Sequence, residues 1–209
     1  MSQQATDSVL IYADYVCPFC YLGYESFDQY REQREAPLAA EWHPFDLRSH
    51  KRRPDGTIDD SVDSGKDEAY YEQARENVER LAEEYDAEMA QTLRKDVDSY
   101  DAQRVALRAR EEHPEAFETF HRSVFDALWE DGRDIGDPEV LADIGANAGL
   151  PEGFVAETLD DESSATALDQ TFEAANQRRI TGVPTFVYGD HAARGAVPPE
   201  QLRRLIDAE

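Results

Sequence analysis

The fold is decided by residues 9–22, which read VLIYADYVCPFCYL. The run 9–15 is apolar and aromatic apart from one aspartate, which is typical of a short buried β-strand. Pro18 has the fixed φ that suits a first helical turn, and Phe27 and Tyr30 extend an apolar face at helical spacing. The sequence therefore predicts a strand that leads directly into a helix, with a Cys-x-x-Cys motif at the junction.

Both cysteines of the chain lie in this motif, Cys17-Pro18-Phe19-Cys20. A helix start offers unpaired N–H groups and the positive end of the helix dipole, which stabilise a thiolate at the first sulfur. Cys17 is therefore predicted to attack a disulfide, and the more shielded Cys20 to resolve the mixed disulfide. This chemistry needs no cofactor besides the redox-active Cys17–Cys20 disulfide, and an external thiol can take part.

Two other interpretations of the cysteine pair stay open at this point. A zinc knuckle needs about four ligands. His43 and His50 are the nearest candidates, but they are seven residues apart and no second cysteine pair is present. We therefore predict no metal site. The second alternative is that the two cysteines are inert buried side chains with this spacing by chance.

The rest of the chain predicts one sheet whose two halves are separated by helices. Residues 38–47 (LAAEWHPFDL) are typical of a strand, which Pro44 confines to a sheet edge or ends early. Residues 48–66 are polar and contain turn-forming residues, which predicts a loop. Further elements are predicted as helices over 70–85, over 100–130 with a break at Pro114, over 138–148 and over 163–178, then strands over 185–188 and 191–194 and a helix over 198–207.

Three segments follow from this order of elements. Residues 1–65 are predicted to form the first half of the sheet unit and residues 161–209 the second half. Residues 66–160 are predicted to be a helical insertion between them. The chain contains 209 residues, which is enough to bury a core without disulfide or metal staples.

The charge of the chain is strongly negative, with 46 acidic and 21 basic residues and a formal net charge of -25. Such a field repels phosphate, and no basic stripe opposes it, so we predict no nucleic-acid partner. Only three of the basic residues are lysines, Lys51, Lys66 and Lys95. A dispersed acidic surface poor in lysine is typical of salt-in halophiles, where molar salt shortens the Debye length to about 3 Å. A partner-binding acidic face is the alternative.

Targeting signals are not evident in the sequence. The N-terminal residues lack the basic segment and long apolar run of a secretory signal. No stretch approaches the roughly 18 to 20 consecutive apolar residues of a membrane helix. We therefore expect a cytoplasmic protein of a salt-in halophile, without a membrane partner, where a Cys-x-x-Cys is more often catalytic than structural.

Three segments together resemble a known family. Residues 11–27 (IYADYVCPFCYLGYESF), 42–47 (WHPFDL) and 181–206 resemble the FrnE-like subgroup of the DsbA-like proteins, which are related to 2-hydroxychromene-2-carboxylate isomerases. The resemblance covers essentially the whole chain. It implies an α/β thioredoxin fold with a large all-helical insertion between its βαβ and ββα halves. It also implies the activity of a DsbA-like protein disulfide oxidoreductase or isomerase.

The resemblance assigns roles to individual residues. Cys17 corresponds to the attacking cysteine, Cys20 to the resolving cysteine and Pro184 to a cis proline. Pro18, Phe19, Val183 and Pro184 are then expected to contact the substrate, with Phe19 in the dipeptide that tunes the redox potential. Strongly oxidising members have His at that dipeptide position, so a less oxidising couple is expected here. An ordinary proline that starts a strand is the alternative interpretation of Pro184.

The roles of the remaining polar residues are less determined by the sequence. Asp14 is predicted either to aid proton transfer, to cap the helix after the cysteines, or to satisfy local backbone N–H groups. The five histidines have no spacing typical of a ligand set or a triad, so we predict surface positions for all of them; they are His43, His50, His113, His121 and His191.

The expected function is thiol–disulfide exchange with a protein or small-molecule thiol or disulfide, by a monomer or homodimer. Two other functions remain possible. A glutathione-linked isomerase of the 2-hydroxychromene-2-carboxylate type has the same architecture, although the second cysteine has no task in that chemistry. A chaperone that holds unfolded chains beneath the helical insertion requires neither cysteine.

Overall fold

A four-stranded sheet organises the chain in the computed structural model, which describes residues 8–207. In chain order the elements are β1 (Ser8–Ala13), α1 (Pro18–Glu32), β2 (Ala39–Pro44), a short 3-10 turn (Ser49–Lys51), α2 (Glu68–Glu84), α3 (Tyr100–Glu112), α4 (Pro114–Trp129), α5 (Pro138–Ala148), α6 (Phe154–Asp160), α7 (Glu162–Gln177), β3 (Thr185–Tyr188), β4 (His191–Arg194) and α8 (Pro199–Ile206). This order confirms a βαβ half and a ββα half with helices inserted between them.

The sheet has the strand order β2-β1-β3-β4. β1 pairs in parallel with β2 and antiparallel with β3, so that Ile11 lies between Trp42 and Phe186. β2 is an edge strand and ends at Pro44, as the missing N–H of proline predicts. The parallel pair requires a crossover, which α1 supplies. This arrangement is the predicted thioredoxin fold with a helical insertion.

Local signals in the sequence explain where the inserted helices begin and end. The side chains of Asp67, Asp137 and Asp161 accept hydrogen bonds from backbone N–H groups of the first turns of α2, α5 and α7. Gly149 ends α5 with a φ of 89°, a conformation that glycine adopts without steric cost. The break predicted at Pro114 separates α3 from α4.

The end of the first strand and one short helix differ from the sequence-based prediction. The predicted strand over 9–15 ends at Ala13, because the chain turns there and the Cys17 N–H donates to the Asp14 carbonyl. The short helix α6 was not predicted, because its seven residues span barely two turns and show no clear period.

The core includes an aromatic cluster between the sheet unit and the insertion, formed by Tyr15, Trp42, His121 and Phe125. The surface position predicted for His121 is therefore wrong, since this side chain is only 6% exposed. Because residues three and four apart share one face of a helix, His121 lies on the buried apolar face of α4 with Val124 and Phe125.

No helix within residues 8–207 has the length and apolar character that a membrane span requires.

Candidate active site

Cys17 lies at the point where the chain enters α1. Its backbone is extended, with φ -96° and ψ 112°, and Pro18 begins the helix. No side chain caps the N–H groups of this helix end, and its first turn contains no acidic residue. The Cys17 carbonyl accepts hydrogen bonds from the N–H groups of Cys20 and Tyr21. The sulfur therefore lies beside the positive end of α1.

Cys20 lies one turn further along α1 and is fully buried, whereas Cys17 retains 4% exposure. Both thiols are free, and the Cys17 side chain is a hydrogen-bonding neighbour of Cys20. Burial is the main reason that the pKa of Cys20 is raised well above its usual value, and the Cys17 thiol adds to this increase. Cys20 is thus held as a neutral thiol behind Cys17.

The segment Val183-Pro184 faces the cysteines from the second half of the sheet unit. The peptide bond between these residues is cis. The Cys17 Sγ lies 3.7 Å from the Val183 carbonyl oxygen. Gly23 on α1 lets Pro184 pack closely against this helix, because a Cβ at Gly23 would lie 3.0 Å from the Pro184 Cγ.

Asp14 is fully buried and accepts hydrogen bonds from several segments. Its carboxylate accepts from the N–H of Val16 at 3.2 Å and from that of Leu47 at 2.8 Å. Ser99 and Gln103 at the start of α3 donate to the same group. Asp14 therefore joins the cysteine turn, the end of β2 and the insertion.

The electrostatic state of Asp14 follows from its position. Burial raises the pKa of this carboxyl to about 6, although the hydrogen bonds from Ser99 and Leu47 oppose the shift. Its negative charge in turn contributes to the raised pKa of Cys20. The local backbone role predicted for Asp14 is confirmed at Val16, whereas its bonds to the start of α3 were not predicted.

A cavity of about 240 Å³ opens at the cysteine motif. Cys17, Pro18, Phe19 and Val183 line it, whereas Cys20 does not. Its other walls come from the loop after β2, from α2 and from the segment between α2 and α3. Four of the six residues predicted for the site therefore meet at one cavity.

Residues 8–207 match the family model of the DSBA-like thioredoxin domain. The chain belongs to the DsbA-like thioredoxin family. The match covers all of the residues that the structure describes, so it includes both halves of the sheet unit and the helical insertion.

Known relatives of this DsbA-like protein cover nearly its whole length. The uncharacterized protein YwbO of Bacillus subtilis (strain 168) is 25% identical over 208 residues, which are 98% of each chain. A probable DsbA oxidoreductase of Streptomyces coelicolor, SCO1869, is 22% identical with a TM-score of 0.77, over 97% of this chain and 91% of that one.

Two further solved structures share this fold. A 2-hydroxychromene-2-carboxylate isomerase is 20% identical with a TM-score of 0.73, over 96% of this chain and 93% of that one. The cytosolic disulfide reductase DsbM of Pseudomonas aeruginosa, solved with GSH, is 19% identical with a TM-score of 0.63, over 95% and 92%. At these identities the similarity establishes the fold of the DsbA-like protein and not its substrate.

The described residues of the DsbA-like protein, 8 to 207, include no cluster of three or more His, Cys, Asp or Glu side chains placed to hold a metal ion. His43 stacks on Tyr12 on β1, and His50 lies at the rim of the cavity. The two histidines considered as zinc ligands thus lie in different surroundings.

Proposed function

We propose that this DsbA-like protein is a thiol–disulfide oxidoreductase that exchanges disulfides through Cys17 and Cys20. The observation that carries the proposal is the arrangement of the two sulfurs, because Cys17 lines a cavity and Cys20 is fully buried next to it. An attacking thiol needs access, whereas a resolving thiol needs only to reach the first sulfur. The oxidoreductases SCO1869 and DsbM, which share the fold, support the same activity.

The proposed reaction has two exchange steps. The Cys17 thiolate attacks one sulfur of a substrate disulfide, which forms a mixed disulfide and releases the first substrate thiol. Cys20 then loses its proton and attacks the Cys17 sulfur, which releases the second thiol and leaves the Cys17–Cys20 disulfide. Two electrons and two protons pass from the protein to the substrate. An external thiol restores the dithiol, and oxidation of a substrate dithiol follows the same steps in reverse.

The substrate contacts in this proposal come from Pro18, Phe19, Val183 and Pro184. Phe19 and Val183 are half-buried at the cavity and present apolar surface on either side of Cys17. Pro184 is buried and holds Val183 in place from behind, against Gly23. In the proposal, the backbone of an extended substrate passes beside the Val183 carbonyl, which lies 3.7 Å from the Cys17 sulfur.

The proposed setting is the cytoplasm of a salt-in halophile. The acidic composition with three lysines favours this setting. The proposed partner is a thiol or disulfide, which the cytoplasm supplies as small thiols and as protein thiols. We propose no nucleic-acid or membrane partner.

A single-turnover assay tests the activity. Reduced protein is mixed with an excess of bis(2-hydroxyethyl) disulfide, and released thiol is measured over time. We expect two thiols per protein for the native chain, one for Cys20→Ser and none for Cys17→Ser. Release of no thiol by the native chain would refute the proposal.

An isomerase is the second candidate, because a 2-hydroxychromene-2-carboxylate isomerase shares the fold at a TM-score of 0.73. In that chemistry Cys20 has no task, so the two candidates differ in the effect of one variant. An absorbance change of a hydroxychromene carboxylate with glutathione, equal for the native chain and Cys20→Ser, would establish the isomerase. The oxidoreductase predicts no such change.

A further inference from the structure

The three lysines of the protein converge on one place. Lys51 follows from the loop after β2, Lys66 precedes α2 and Lys95 lies between α2 and α3, and all three line the cavity at Cys17. The chain has 46 acidic residues and a formal net charge of -25, so this concentration of ammonium groups opposes the charge of the whole surface. The cavity thus has the opposite charge to the protein that surrounds it.

None of the three ammonium groups forms an ion pair with a carboxylate among residues 8–207. Every ion pair within residues 8–207 takes its cation from an arginine or a histidine. Lys66 lies 5.0 Å from the ring centre of Tyr70, and Lys95 lies 3.2 Å from that of Tyr71. Aromatic faces attract a cation without cancelling its charge, so the lysines stay available to an anion.

The other lining residues preserve this positive character. Arg48 and His50 add basic groups to the lining, and Asp60 is the only acidic residue that lines the cavity in the described chain. Arg94 also lines it but is paired with Asp96. The lining also includes apolar side chains, among them Val16, Phe19 and Val183.

Ion pairs and a hydrogen bond join two of the three segments that carry the lysines. Arg52, next to Lys51, forms ion pairs with Asp46 at 2.6 Å and with Asp98 at 2.8 Å. The Arg48 guanidinium donates to the Arg94 carbonyl at 3.1 Å. These bonds join the loop after β2 to the segment that carries Lys95. The segments that carry Lys51 and Lys95 are therefore held together before a ligand binds, which lowers the entropic cost of binding.

We propose that this cavity selects a low-molecular-weight thiol or disulfide that carries at least two carboxylate groups. The inference rests on the proposed function, since the sulfur of the ligand has to reach Cys17. Its carboxylates bind Lys51, Lys66 and Lys95, and its carbon chain lies against the apolar side chains that line the cavity. The volume of about 240 Å³ suits a small molecule, and three separated ammonium groups suit more than one carboxylate.

The chemistry at the sulfur is the exchange described above. Cys17 forms a bond to one sulfur of the dicarboxylate disulfide, whose S–S bond breaks and releases one carboxylate thiol. Attack by Cys20 then releases the second carboxylate thiol and closes the Cys17–Cys20 disulfide. Reduction of the substrate and oxidation of the protein balance at two electrons.

Three disulfides of similar size and different charge test the inference. They are 3,3′-dithiodipropionate, a dianion, bis(2-hydroxyethyl) disulfide, which is neutral, and cystamine, a dication. Each rate with reduced protein is divided by the rate of the same disulfide with dithiothreitol, at the lowest salt that preserves the far-UV circular dichroism. We expect a preference of about tenfold for the dianion over the neutral disulfide, which is the scale of a few exposed ion pairs.

Charge variants identify the source of this preference. The triple variant Lys51→Gln, Lys66→Gln, Lys95→Gln should bring the normalised rates of the dianion and the neutral disulfide to within about twofold, because the favourable ion pairs are lost. The corresponding triple Lys→Arg variant should retain the preference for the dianion. The matched control Arg80→Gln, Arg133→Gln, Arg204→Gln removes the same charge outside the cavity and should also retain it. If the triple Lys→Gln variant prefers the dianion over the neutral disulfide as strongly as the native chain does, the inference is overturned.

Failure of the inference is distinguishable from failure of the proposed function. If all three disulfides react at equal normalised rates, exchange stands and the charge selection is wrong. If none reacts, the proposed function fails, and binding of unreactive S-methylglutathione by calorimetry decides the inference. Binding of S-methylglutathione that weakens in the triple Lys→Gln variant and not in the Arg80→Gln, Arg133→Gln, Arg204→Gln control supports the inference. Equal binding by the native chain and the triple Lys→Gln variant overturns it. An acidic peptide disulfide that reacts much faster than dithiodipropionate would also overturn the small-molecule assignment.

Discussion

The Cys17 Sγ lies 3.7 Å from the carbonyl oxygen of Val183, although 166 positions separate the two residues in the sequence. Strand β1 and strand β3 are neighbours in the sheet, and each leads into or out of one side of the site. Pairing of the two sheet halves therefore brings the thiol and the cis-proline segment together. The helices α2 to α6, which are inserted between these halves, leave this contact intact.

The order of attack by the two cysteines is the first prediction. With Cys20→Ser the mixed disulfide between Cys17 and the substrate has no resolving thiol, so it should accumulate as a stable adduct. With Cys17→Ser the buried Cys20 should form no adduct. Intact-protein mass spectrometry after mixing with a disulfide measures both. Adducts on Cys20 that form as fast as those on Cys17 would reverse the assigned roles.

The contact between Gly23 and Pro184 gives the second prediction. In Gly23→Ala the added methyl group lies 3.0 Å from the Pro184 Cγ and 3.3 Å from the Phe186 Cζ. Overpacking of this kind costs about 1 to 3 kcal/mol, which outweighs the gain of about 1 kcal/mol in helix propensity. We expect a lower free energy of unfolding and slower disulfide exchange, because the Val183 side of the site is displaced.

Gly145→Ala on α5 is the matched control for this variant. Its added methyl group contacts Val155 and Leu150 at 3.3 and 3.4 Å, and neither of these residues lines the cavity at Cys17. It should change the free energy of unfolding without changing the exchange rate per folded molecule. Equal exchange rates for both variants would show that the approach of Pro184 to α1 does not matter for the reaction.

The acid sensitivity of the aromatic cluster is the third prediction. Burial lowers the pKa of His121 to about 3, from an ordinary value of 6.5. Below pH 6.5 the unfolded chain binds a proton that the folded chain does not bind, so stability is lost as the pH falls from 6.5 toward 3. The loss between pH 6.5 and pH 4 is about 3 kcal/mol.

A double variant isolates this effect. The Tyr15 hydroxyl and the His121 Nδ1 form a hydrogen bond of 2.6 Å in the buried cluster. Tyr15→Phe with His121→Phe removes both partners and leaves neither unpaired. Urea unfolding from pH 4 to pH 7 should show a flatter pH dependence for the double variant than for the native chain. An identical dependence would place the acid sensitivity elsewhere.

Asp14 gives a prediction of opposite sign. Burial raises its pKa to about 6, so between pH 3.8 and pH 6 the folded chain binds a proton that the unfolded chain lacks. This group therefore contributes most below pH 3.8, and its contribution is lost as the pH rises to 6, by about 3 kcal/mol. As the pH rises over this range, the free energy of unfolding of the native chain should fall relative to that of Asp14→Asn. A constant difference between the two would contradict the raised pKa.

The same variant tests the coupling between Asp14 and the resolving thiol. The Asp14 charge contributes to the raised pKa of Cys20, so Asp14→Asn should lower that pKa. The ultraviolet absorbance of the Cys20 thiolate, followed against pH in a Cys17→Ser background, measures this pKa without a reagent that must reach the buried sulfur. An unchanged or higher pKa would show that the carboxylate does not act on the thiol.

Dependence on salt is the last of these predictions. The formal net charge of -25 produces self-repulsion that molar salt screens within about 3 Å. Removal of potassium chloride by dialysis should reduce the far-UV circular dichroism, and its return should restore the signal. An undiminished spectrum without salt would contradict the halophilic interpretation.

The sequence predicted the sheet unit because its signals are local. Pro18 after an apolar run, Pro44 at an edge strand, and Asp137 with Gly149 around one helix each act within a few residues. The strand order and the pairing of Val183-Pro184 with the cysteines came from the family resemblance, since no local pattern determines either. The short helix α6 lacked both kinds of signal.

The parts of the site that the sequence did not predict depend on distant contacts. Lys51, Lys66 and Lys95 are isolated in the sequence, and only the fold places them around one cavity. Asp14 binds Ser99 and Gln103 across the boundary between the sheet unit and the insertion. A signal for His121 did exist, because it shares a helical apolar face with Val124 and Phe125. The prediction of a surface position considered only the spacing between histidines and therefore missed this signal.

The most direct test of the account is an equilibrium between the protein and a graded thiol–disulfide buffer in molar salt, with intact-mass analysis of the quenched samples. The proposed exchange predicts one two-electron transition in which Cys17 and Cys20 lose two hydrogens together, a single adduct at most in Cys20→Ser, and no transition in Cys17→Ser. Two thiols that stay reduced across the whole range of buffer potentials would contradict it.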